Sequence, residues 1–266
     1  MGGTQHGEHG DRKNSCKNSM SGSWRDCREP FVLEVFAGSG RLTSTLKELG
    51  INAHALDILT DPLDDVLSPK VKFKIFDLVK RGSILFVWIG MPCTTFSVAR
   101  RHDGVGPPPL RSDAQPMGLD FLRPHDKKKL KEGNALLLFT YELALCCMRY
   151  GVPWAIENPA SSRCWLTPVF KKLAKHGTFV HLDFCQFHEP WKKPTSILYH
   201  GIDFSSVGQR CTGGKLCSRT GKNHLILKGI SPSGEFWTLI AQPYPWILVR
   251  KLGQLIFEQI LIPQDR

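Results

Sequence analysis

The stretch Ser83-Ile84-Leu85-Phe86-Val87-Trp88-Ile89-Gly90-Met91-Pro92-Cys93-Thr94-Thr95-Phe96-Ser97 decides the fold. Residues 84–89 are all apolar and rich in β-branched and aromatic types, which is typical of a strand covered on both faces. A Gly/Pro turn follows this strand and presents Cys93. In open α/β sheets, catalytic groups lie just beyond the carboxyl ends of such strands. The pattern therefore places Cys93 where a nucleophile is expected, and a small turn residue is the alternative interpretation.

The first strongly apolar segment of the chain leads into a glycine turn. Residues 31–37 are predicted to form a core strand, Gly38-Ser39-Gly40 follows it, and an amphipathic helix is expected at residues 42–49. Glycines let the backbone approach a ligand closely, and the start of a helix offers free N–H groups. The sequence therefore predicts a loop that cradles a nucleotide. The missing third glycine of the dinucleotide fingerprint disfavours a nicotinamide cofactor.

Two further segments are predicted to be strands that end in an acid. Residues 51–57 end in Asp57, and residues 71–76 are followed by Asp77. A carboxylate at the end of the second strand can accept both hydroxyls of a ribose, whereas a helix cap or a turn is the alternative role for Asp57. By the same logic, Asp77 can receive the amino group of an adenine ring.

A second set of elements follows Cys93. The predicted elements are a helix at residues 134–150, strands at 152–159, 178–184 and 195–199, and a closing helix at 245–260. The first of these strands ends in Glu157-Asn158-Pro159. A carboxylate at this position points into the same crevice as Cys93, and the proline holds Asn158 extended. We therefore expect Glu157 and Cys93 to face each other.

The chain is predicted to consist of one catalytic core with appendages. We expect a flexible polar leader at residues 1–29, the core at 30–200 with a basic lid at 97–131, a small basic Cys/His-containing insertion at 201–234 as a target-recognition region, and a closing segment at 235–266. A solvated linker is the alternative for the lid. The cations expected to contact nucleic acid are Arg100, Arg101, Arg111, Lys215 and Arg219.

The composition favours a polyanionic partner. The 266 residues carry a formal net charge of +11, so nucleic acid is the first candidate, with solubility as the alternative use of the charge. Nine cysteines with no signal peptide ahead of them favour a reduced intracellular protein, nuclear if the source is eukaryotic. No apolar run approaches the roughly 20 residues of a membrane helix. We expect a monomer that binds no membrane.

Cysteine and histidine residues recur in the second half of the chain. The candidate metal-ligand set is Cys185, Cys211, Cys217 and His224. The spacings Cys-x5-Cys and Cys-x6-His are not the tight pairs of common zinc sites. Free thiols and surface imidazoles are therefore the expectation, and a structural zinc is the alternative.

Three of these motifs together resemble the cytosine-5 DNA methyltransferase family. They are the segment from Glu34 to Gly40, the pair Pro92-Cys93 and the pair Glu157-Asn158, and the resemblance covers roughly residues 31–200. It implies a class I S-adenosylmethionine-dependent methyltransferase fold, a Rossmann-like α/β sheet of mostly parallel strands with helices on both faces. It also implies methyl transfer from S-adenosylmethionine to C5 of cytosine in DNA through a covalent Cys93 adduct.

The resemblance also implies roles for individual residues. The implied donor-binding residues are Glu34, Phe36, Ala37, Gly38, Ser39, Gly40, Asp57, Ile58, Asp77 and Leu78. Cys93 next to Pro92 is the implied nucleophile, Glu157 the general acid and Asn158 its positioning partner. A base on a duplex would have to be flipped out of the stack, which suits a mobile basic lid.

The chain departs from the family pattern at several positions. Thr94-Thr95 stands where the family has a glutamine soon after the cysteine, and Pro159 stands where it has valine. The family's later Gln-x-Arg-x-Arg element has no clear match, so Arg163 or Lys193 is expected to replace its arginine. An RNA (tRNA-type) cytosine-5 methyltransferase, an inactive nucleic-acid-binding relative and a nicotinamide-dependent oxidoreductase are the alternatives.

Overall fold

Six strands form one central sheet in the computed structural model, which describes residues 24–100 and 107–262. The strands are β1 (Phe31–Val35), β2 (Ala53–Leu56), β3 (Ile84–Ile89), β4 (Trp154–Pro159), β5 (Thr178–Asp183) and β6 (Pro194–His200). Their order across the sheet is β2-β1-β3-β4-β6-β5. Strands β2, β1, β3 and β4 are mutually parallel, and β6 runs antiparallel to both of its neighbours.

The strand order reverses between β1 and β3. From β1 the chain moves outward to β2 and then returns to place β3 on the other side of β1. Ligands of open α/β sheets bind in the crevice at the carboxyl ends of strands where the order reverses in this way. The turns that follow β1 and β3 meet there, and the Gly90 N–H donates to the Val35 carbonyl at 3.0 Å.

Helices cover both faces of the sheet. They are α1 (Arg41–Glu48), α2 (Pro69–Lys80), α3 (Pro124–Arg149), α4 (Pro168–Leu173), α5 (Trp237–Ile240) and α6 (Trp246–Ile256), with a π-helical turn at Phe257–Leu261. One hydrophobic core lies between the sheet and α2, α3 and α4, and a second lies between the sheet and α1 and α6. Strand β3 contributes Val87 and Ile89 to the first core and Phe86 and Trp88 to the second.

The predicted fold class is confirmed. The structure is an α/β sheet of mostly parallel strands with helices on both faces, which is consistent with a class I methyltransferase fold. The closing helix α6 packs on α1: Trp246 at its start lies against Arg41, next to the glycine turn, and an added Cβ at Gly253 would lie 3.1 Å from Leu49 Cδ1 at the other end of α1. Among the helices that the structure describes, none is long and apolar enough to cross a membrane.

The predicted strand at residues 71–76 is wrong, because this segment lies inside helix α2. Alternation of apolar residues with lysines suggested a strand. Over the longer window the buried positions are Val71, Ile75, Leu78 and Val79, which recur with the period of a helix. Phe73 would share the buried face in a strand, but it is 72% exposed.

Two predicted boundaries also need correction. Residues 1–23 of the expected leader lie outside the described residues, but Trp24 is buried and its indole N–H donates to Asp64 Oδ1 at 2.9 Å. The segment that begins at Trp24 is therefore not part of a flexible leader, because one large aromatic side chain anchors it on the core. Helix α3 begins at Pro124. The expected lid at residues 97–131 therefore extends too far, and the expected helix at residues 134–150 begins too late.

Candidate active site

The turn after β1 has the backbone expected of a ligand-binding glycine loop. Phe36, Gly38 and Gly40 all have positive φ angles, of 57°, 54° and 63°. Such angles are readily adopted by glycine and cost energy at Phe36. An added Cβ at Gly38 or Gly40 would meet nothing within 4 Å, so this side of the loop is open. Ala37 is buried beneath the loop and Ser39 is exposed at its tip.

Glu34 supports this loop from below. It is buried in β1, and its Oε2 accepts hydrogen bonds from the Thr43 amide at 2.8 Å and from the Thr43 hydroxyl. Thr43 is the third residue of α1, so the carboxyl group satisfies one of the free N–H groups at the helix start. Burial raises the pKa of Glu34 to about 7, and the Thr43 hydrogen bonds limit the rise.

Asp57 lies at the end of β2, next to the glycine loop. Its Oδ2 accepts the Gly38 N–H at 2.8 Å and its Oδ1 accepts the Leu59 N–H at 2.8 Å. The structure thus brings together the first two elements of the predicted donor site, with Ile58 half exposed beside them.

Asp77 and Leu78 lie in helix α2, not at the end of the predicted strand. Asp77 lies in α2 and forms an ion pair with Arg81 at 2.9 Å, one helical turn away. Leu78 is buried in the core between the sheet and the helices. The expectation that Asp77 ends a strand beside the adenine site is therefore wrong, since helix α2 replaces that strand.

The loop after β3 holds Cys93 at the crevice. The Cys93 side chain is half-buried, and its thiol forms no disulfide with any described cysteine. Asn158, fully buried at the end of β4, donates from Nδ2 to the Met91 carbonyl at 2.6 Å and to the Glu157 carbonyl at 3.1 Å. Asn158 therefore fixes the cysteine loop, including Pro92, against the strand that carries Glu157.

The Glu157 side chain is buried in a hydrogen-bonded chain of three residues. Trp88 Nε1 donates to the Tyr244 hydroxyl at 3.1 Å, and that hydroxyl donates to Glu157 Oε2 at 3.1 Å. The other oxygen, Oε1, is buried, and no described residue forms a hydrogen bond with it. Burial raises the pKa of Glu157, while Lys193 and the Tyr244 hydroxyl oppose the rise.

Cys93, Glu157 and Lys193 interact electrostatically. Burial raises the pKa of Cys93, the Glu157 charge raises it further, and the Lys193 charge lowers it. Lys193 is held by the Ala241 carbonyl, at 2.9 Å from Nζ, and lies over the Phe184 ring at 4.6 Å. These three groups therefore lie close enough for their charges to interact, a proximity that the strand ends predict for Cys93 and Glu157.

Arg163, the other cation considered for this site, is engaged elsewhere. Its backbone N–H donates to the Phe96 carbonyl at 3.0 Å, while its side chain pairs with Asp113 at 2.9 Å. Of the two cations that the sequence suggested, Lys193 is the one whose charge acts on both Cys93 and Glu157.

Sequence reasoning did not identify Tyr244. It lies 87 positions after Glu157 in the loop before α6, and its backbone carbonyl accepts from Arg41 at 2.7 Å. Arg41 is the first residue of α1 and also lies over the Trp246 ring. No local motif marks Tyr244, because its role depends on the docking of α6 beside the glycine loop.

The predicted nucleic-acid-contacting cations that the structure describes lie in different environments. Arg111 is only 1% exposed, so its assignment as a nucleic-acid-contacting cation is wrong. Its side chain forms four hydrogen bonds and a ring contact with other residues of the protein interior. Arg100 is also buried and donates to the Pro108 carbonyl. Arg219 donates to the Cys185 carbonyl, Lys215 is exposed, and Arg101 lies outside the described residues.

The four candidate metal ligands are brought together. The Sγ atoms of Cys185, Cys211 and Cys217 and a ring nitrogen of His224 all lie within 4.8 Å of one another. The three cysteines form a small buried cluster of their own. This convergence differs from the expectation of free thiols and surface imidazoles. The fold brings the four residues together across long loops, and their spacing in the sequence does not indicate this proximity.

Two solved methyltransferase structures are similar to this chain. The S. pombe Dnmt2 methyltransferase matches with a TM-score of 0.36 and 15% identity, over 66% of this chain and 52% of its own. The Entamoeba histolytica methyltransferase EhMeth matches with a TM-score of 0.38 and 14% identity, over 67% of this chain and 55% of its own. The matched region thus spans about half the length of either structure. No protein-family model and no curated protein matches the chain.

Proposed function

We propose that this chain is an S-adenosylmethionine-dependent methyltransferase that methylates C5 of cytosine in DNA through a covalent Cys93 adduct. One observation carries the proposal. The Cys93 thiol, in the loop after β3, and the Glu157 carboxyl group, near the carboxyl end of the neighbouring strand β4, lie close enough for their charges to interact, and an open glycine loop follows the adjacent strand β1. A nucleophile, a general acid and a nucleotide cradle at one crevice are the parts that this reaction needs.

The loop after β1 fits the donor. Gly38 and Gly40 leave the loop backbone open, which lets the methionine part approach it closely. Asp57 is fixed by the N–H groups of Gly38 and Leu59, and we assign its carboxylate to the ribose hydroxyls of the donor. The buried Oε1 of Glu34 has no hydrogen-bond partner among the residues that the structure describes, and it adds acceptor capacity under the loop. When bound, S-adenosylmethionine supplies a methyl group attached to a sulfonium centre, which is the electrophile of the reaction.

Cys93 begins the chemistry on the base. Cytosine C5 is a poor nucleophile, and addition of the Cys93 thiolate to C6 converts the ring to an enamine whose C5 can attack a methyl group. The positive charge of Lys193 favours the thiolate form against the desolvation that opposes it. Lys193 is thereby the cation that supports the nucleophile.

Glu157 supplies the proton that this addition needs. As thiolate adds to C6, negative charge develops on N3, and a protonated carboxyl group at N3 neutralises it. The raised pKa of Glu157 is suited to holding this proton near neutral pH. After methyl transfer, a base removes the C5 proton, the C6–S bond breaks, and the N3 proton returns to Glu157.

DNA is the proposed polymer, and RNA is the competing substrate. The formal charge of +11 suits any polyanion. Of the cations expected to contact it, Lys215 and Arg219 are exposed in the described residues, which supports a contact surface that includes part of the segment 201–234.

The proposal is tested by transfer of labelled methyl groups. Purified chain is mixed with methyl-labelled S-adenosylmethionine and either duplex DNA or folded tRNA, and the modified base is identified by nucleoside mass spectrometry. We expect 5-methylcytosine in DNA, with at least about a thousandfold loss in Cys93→Ala and retained donor binding. Cys146→Ala, a change on α3 outside the site, is the matched control. Product in tRNA alone moves the substrate to RNA, and labelled product from Cys93→Ala at the wild-type rate overturns the mechanism.

A further inference from the structure

We propose that Cys185, Cys211, Cys217 and His224 form a structural zinc site. Their four ligand atoms lie within 4.8 Å of one another, and Cys211 Sγ is 3.6 Å from His224 Nε2. In a tetrahedral site with Zn–S bonds of about 2.3 Å, neighbouring ligand atoms are about 3.5–3.8 Å apart. The four side chains are therefore arranged around a volume that suits one ion. This inference does not rest on the proposed methyltransferase function.

The histidine is oriented as a metal ligand requires. His224 Nδ1 lies 3.1 Å from the Gly214 carbonyl, which can only accept a hydrogen bond. The proton is thereby fixed on Nδ1, and the lone pair of Nε2 faces the Cys211 sulfur. Metal-bound histidines use their second nitrogen in this way, because the outer hydrogen bond fixes the tautomer and the ring orientation.

The sulfur atoms are surrounded by donors. The Ser218 amide and hydroxyl each lie 3.4 Å from Cys211 Sγ, and Gln186 Nε2 lies 3.4 Å from Cys185 Sγ. Hydrogen bonds of this kind stabilise the thiolate form that metal binding requires. All three cysteines are buried and none is joined in a disulfide.

The backbone explains how widely spaced ligands meet. Leu216 pairs with Asn223 in an antiparallel bridge, so Cys217 and His224 lie at the base of one short hairpin that Gly221 closes with a positive φ angle. Cys185 lies in the 3-10 turn Phe184–Phe187 after β5. The ion would join this hairpin to the edge of the sheet.

Three thiolates and a neutral imidazole point to zinc in a closed site. Soft sulfur ligands with one nitrogen in a tetrahedral array are typical of structural zinc, which leaves no open position for water. Binding of Zn²⁺ releases three thiol protons and leaves a net charge of −1. Lys192 Nζ, 2.9 Å from the Cys211 carbonyl, and the Arg219 side chain, 2.7 Å from the Cys185 carbonyl, supply compensating positive charge nearby.

The ion would also support the active-site cation. Lys192 precedes Lys193 in the chain, and the Phe184 N–H donates to the Lys193 carbonyl at 3.2 Å. The segment that carries Cys185 therefore also holds the backbone of Lys193. Loss of the ion is expected to loosen residues 201–234 first.

The test is metal analysis of the full-length chain purified without chelator. We expect about one zinc per chain and at least a tenfold lower content in Cys211→Ser and Cys217→Ser, while Cys146→Ser on α3 retains its zinc. Because a ligand variant can fail to fold, the wild-type chain is also stripped at low pH and refolded with Co²⁺. Intense near-ultraviolet thiolate-to-cobalt absorption that Zn²⁺ displaces supports the site.

Three results would overturn the proposal. One is wild-type chain that carries less than about a tenth of an equivalent of zinc and shows no thiolate-to-cobalt absorption. Another is zinc that remains at wild-type content in Cys211→Ser and Cys217→Ser. The third is iron in place of zinc in the purified chain, which would contradict the identity of the ion.

Discussion

Two buried carboxyl groups lie on the two strands that flank β3, and they have different roles. Glu34 on β1 accepts hydrogen bonds from Thr43 at the start of α1, whereas Glu157 on β4 accepts from Tyr244 and acts electrostatically on Cys93. Burial raises the pKa of both. At Glu34 the consequence is a dependence of stability on pH, and at Glu157 it is a carboxyl group suited to holding a proton.

Replacement of Glu34 is expected to remove part of the pH dependence of stability. Folding raises the pKa of Glu34 from 4.5 to about 7, so the folded state retains a proton that the unfolded state loses between these values. The free energy of unfolding therefore falls as pH rises from about 4.5 to 7, by up to about 3 kcal/mol. Urea unfolding of the wild type and Glu34→Gln across this range measures the difference. A difference that stays constant with pH would contradict this role.

Replacement of Glu157 is expected to change the shape of the pH–rate profile. With a thiolate nucleophile and a protonated acid, the wild type should show a rate that falls at both low and high pH. Glu157→Gln should lose about a hundredfold to ten-thousandfold in rate, and its remaining activity should rise with pH to a plateau. Tyr244→Phe should move the limb of the profile that reports Glu157 to higher pH, because the Tyr244 hydrogen bond lowers the pKa of Glu157.

Tyr199→Phe is the control for the tyrosine change, since the Tyr199 hydroxyl donates to Asp203, in the loop after β6, and not to Glu157. Its profile should match that of the wild type. An alkaline fall that persists unchanged in Glu157→Gln would show that another group supplies the proton.

At the scale of elements, α2 shows how a short pattern misleads. The alternation of apolar and lysine residues from Val71 to Phe76 fits a strand over six residues. Pro69 at the first turn and buried positions at Val71, Ile75 and Val79 fit a helix over twelve. The longer pattern decides the structure, and it replaces the strand that was expected to end at Asp77.

A pair of alanine substitutions distinguishes the two assignments. In a strand, Phe73 and Ile75 would lie on the same face and both truncations would be costly. In α2, Ile75 is fully buried and Phe73 is 72% exposed. We expect Ile75→Ala to cost about 2–5 kcal/mol and Phe73→Ala about 0.5 kcal/mol or less, measured by denaturant unfolding. Similar losses from both would contradict the helix.

The loop after Cys93 is supported by a buried arginine. The Arg111 guanidinium donates to Thr95 Oγ1 at 3.0 Å and to Asn134 Oδ1 at 2.7 Å, and it lies 3.7 Å from the centre of the Phe96 ring. Burial lowers the pKa of Arg111 to about 10. Arg111 thus joins the loop after Cys93 to α3 and is a positioning residue of the site.

Arg111→Lys should therefore be costly although it retains the charge. A lysine cannot provide the planar fork or the ring stacking, so we expect a loss of about 2–4 kcal/mol in stability. The same change at Arg123, whose side chain is 63% exposed, should cost about 0.5 kcal/mol or less. Thermal unfolding of the two variants compares them, and equal small losses would remove Arg111 from the supporting framework.

The whole molecule forms its site from parts far apart in sequence. β1, β3 and β4 place the glycine loop, Cys93 and Glu157 at one edge of the sheet, and these parts were predictable, since buried strands and their terminal polar groups are local patterns. Tyr244 and the meeting of Cys185 with His224 were not predictable. They depend on how the last 70 or so residues fold back over the sheet, which no short-range periodicity encodes.

The most direct measurement of the central claim is covalent trapping at Cys93. The chain is incubated with S-adenosylmethionine and a duplex that carries 5-fluorocytosine, whose fluorine blocks the final elimination, and the product is mapped by mass spectrometry. The account predicts a denaturation-resistant adduct on Cys93 that is absent from Cys93→Ala and retained in Cys146→Ala. No adduct on fluorinated DNA or RNA while the donor binds, or an adduct on another cysteine such as the neighbouring Cys164, would contradict it.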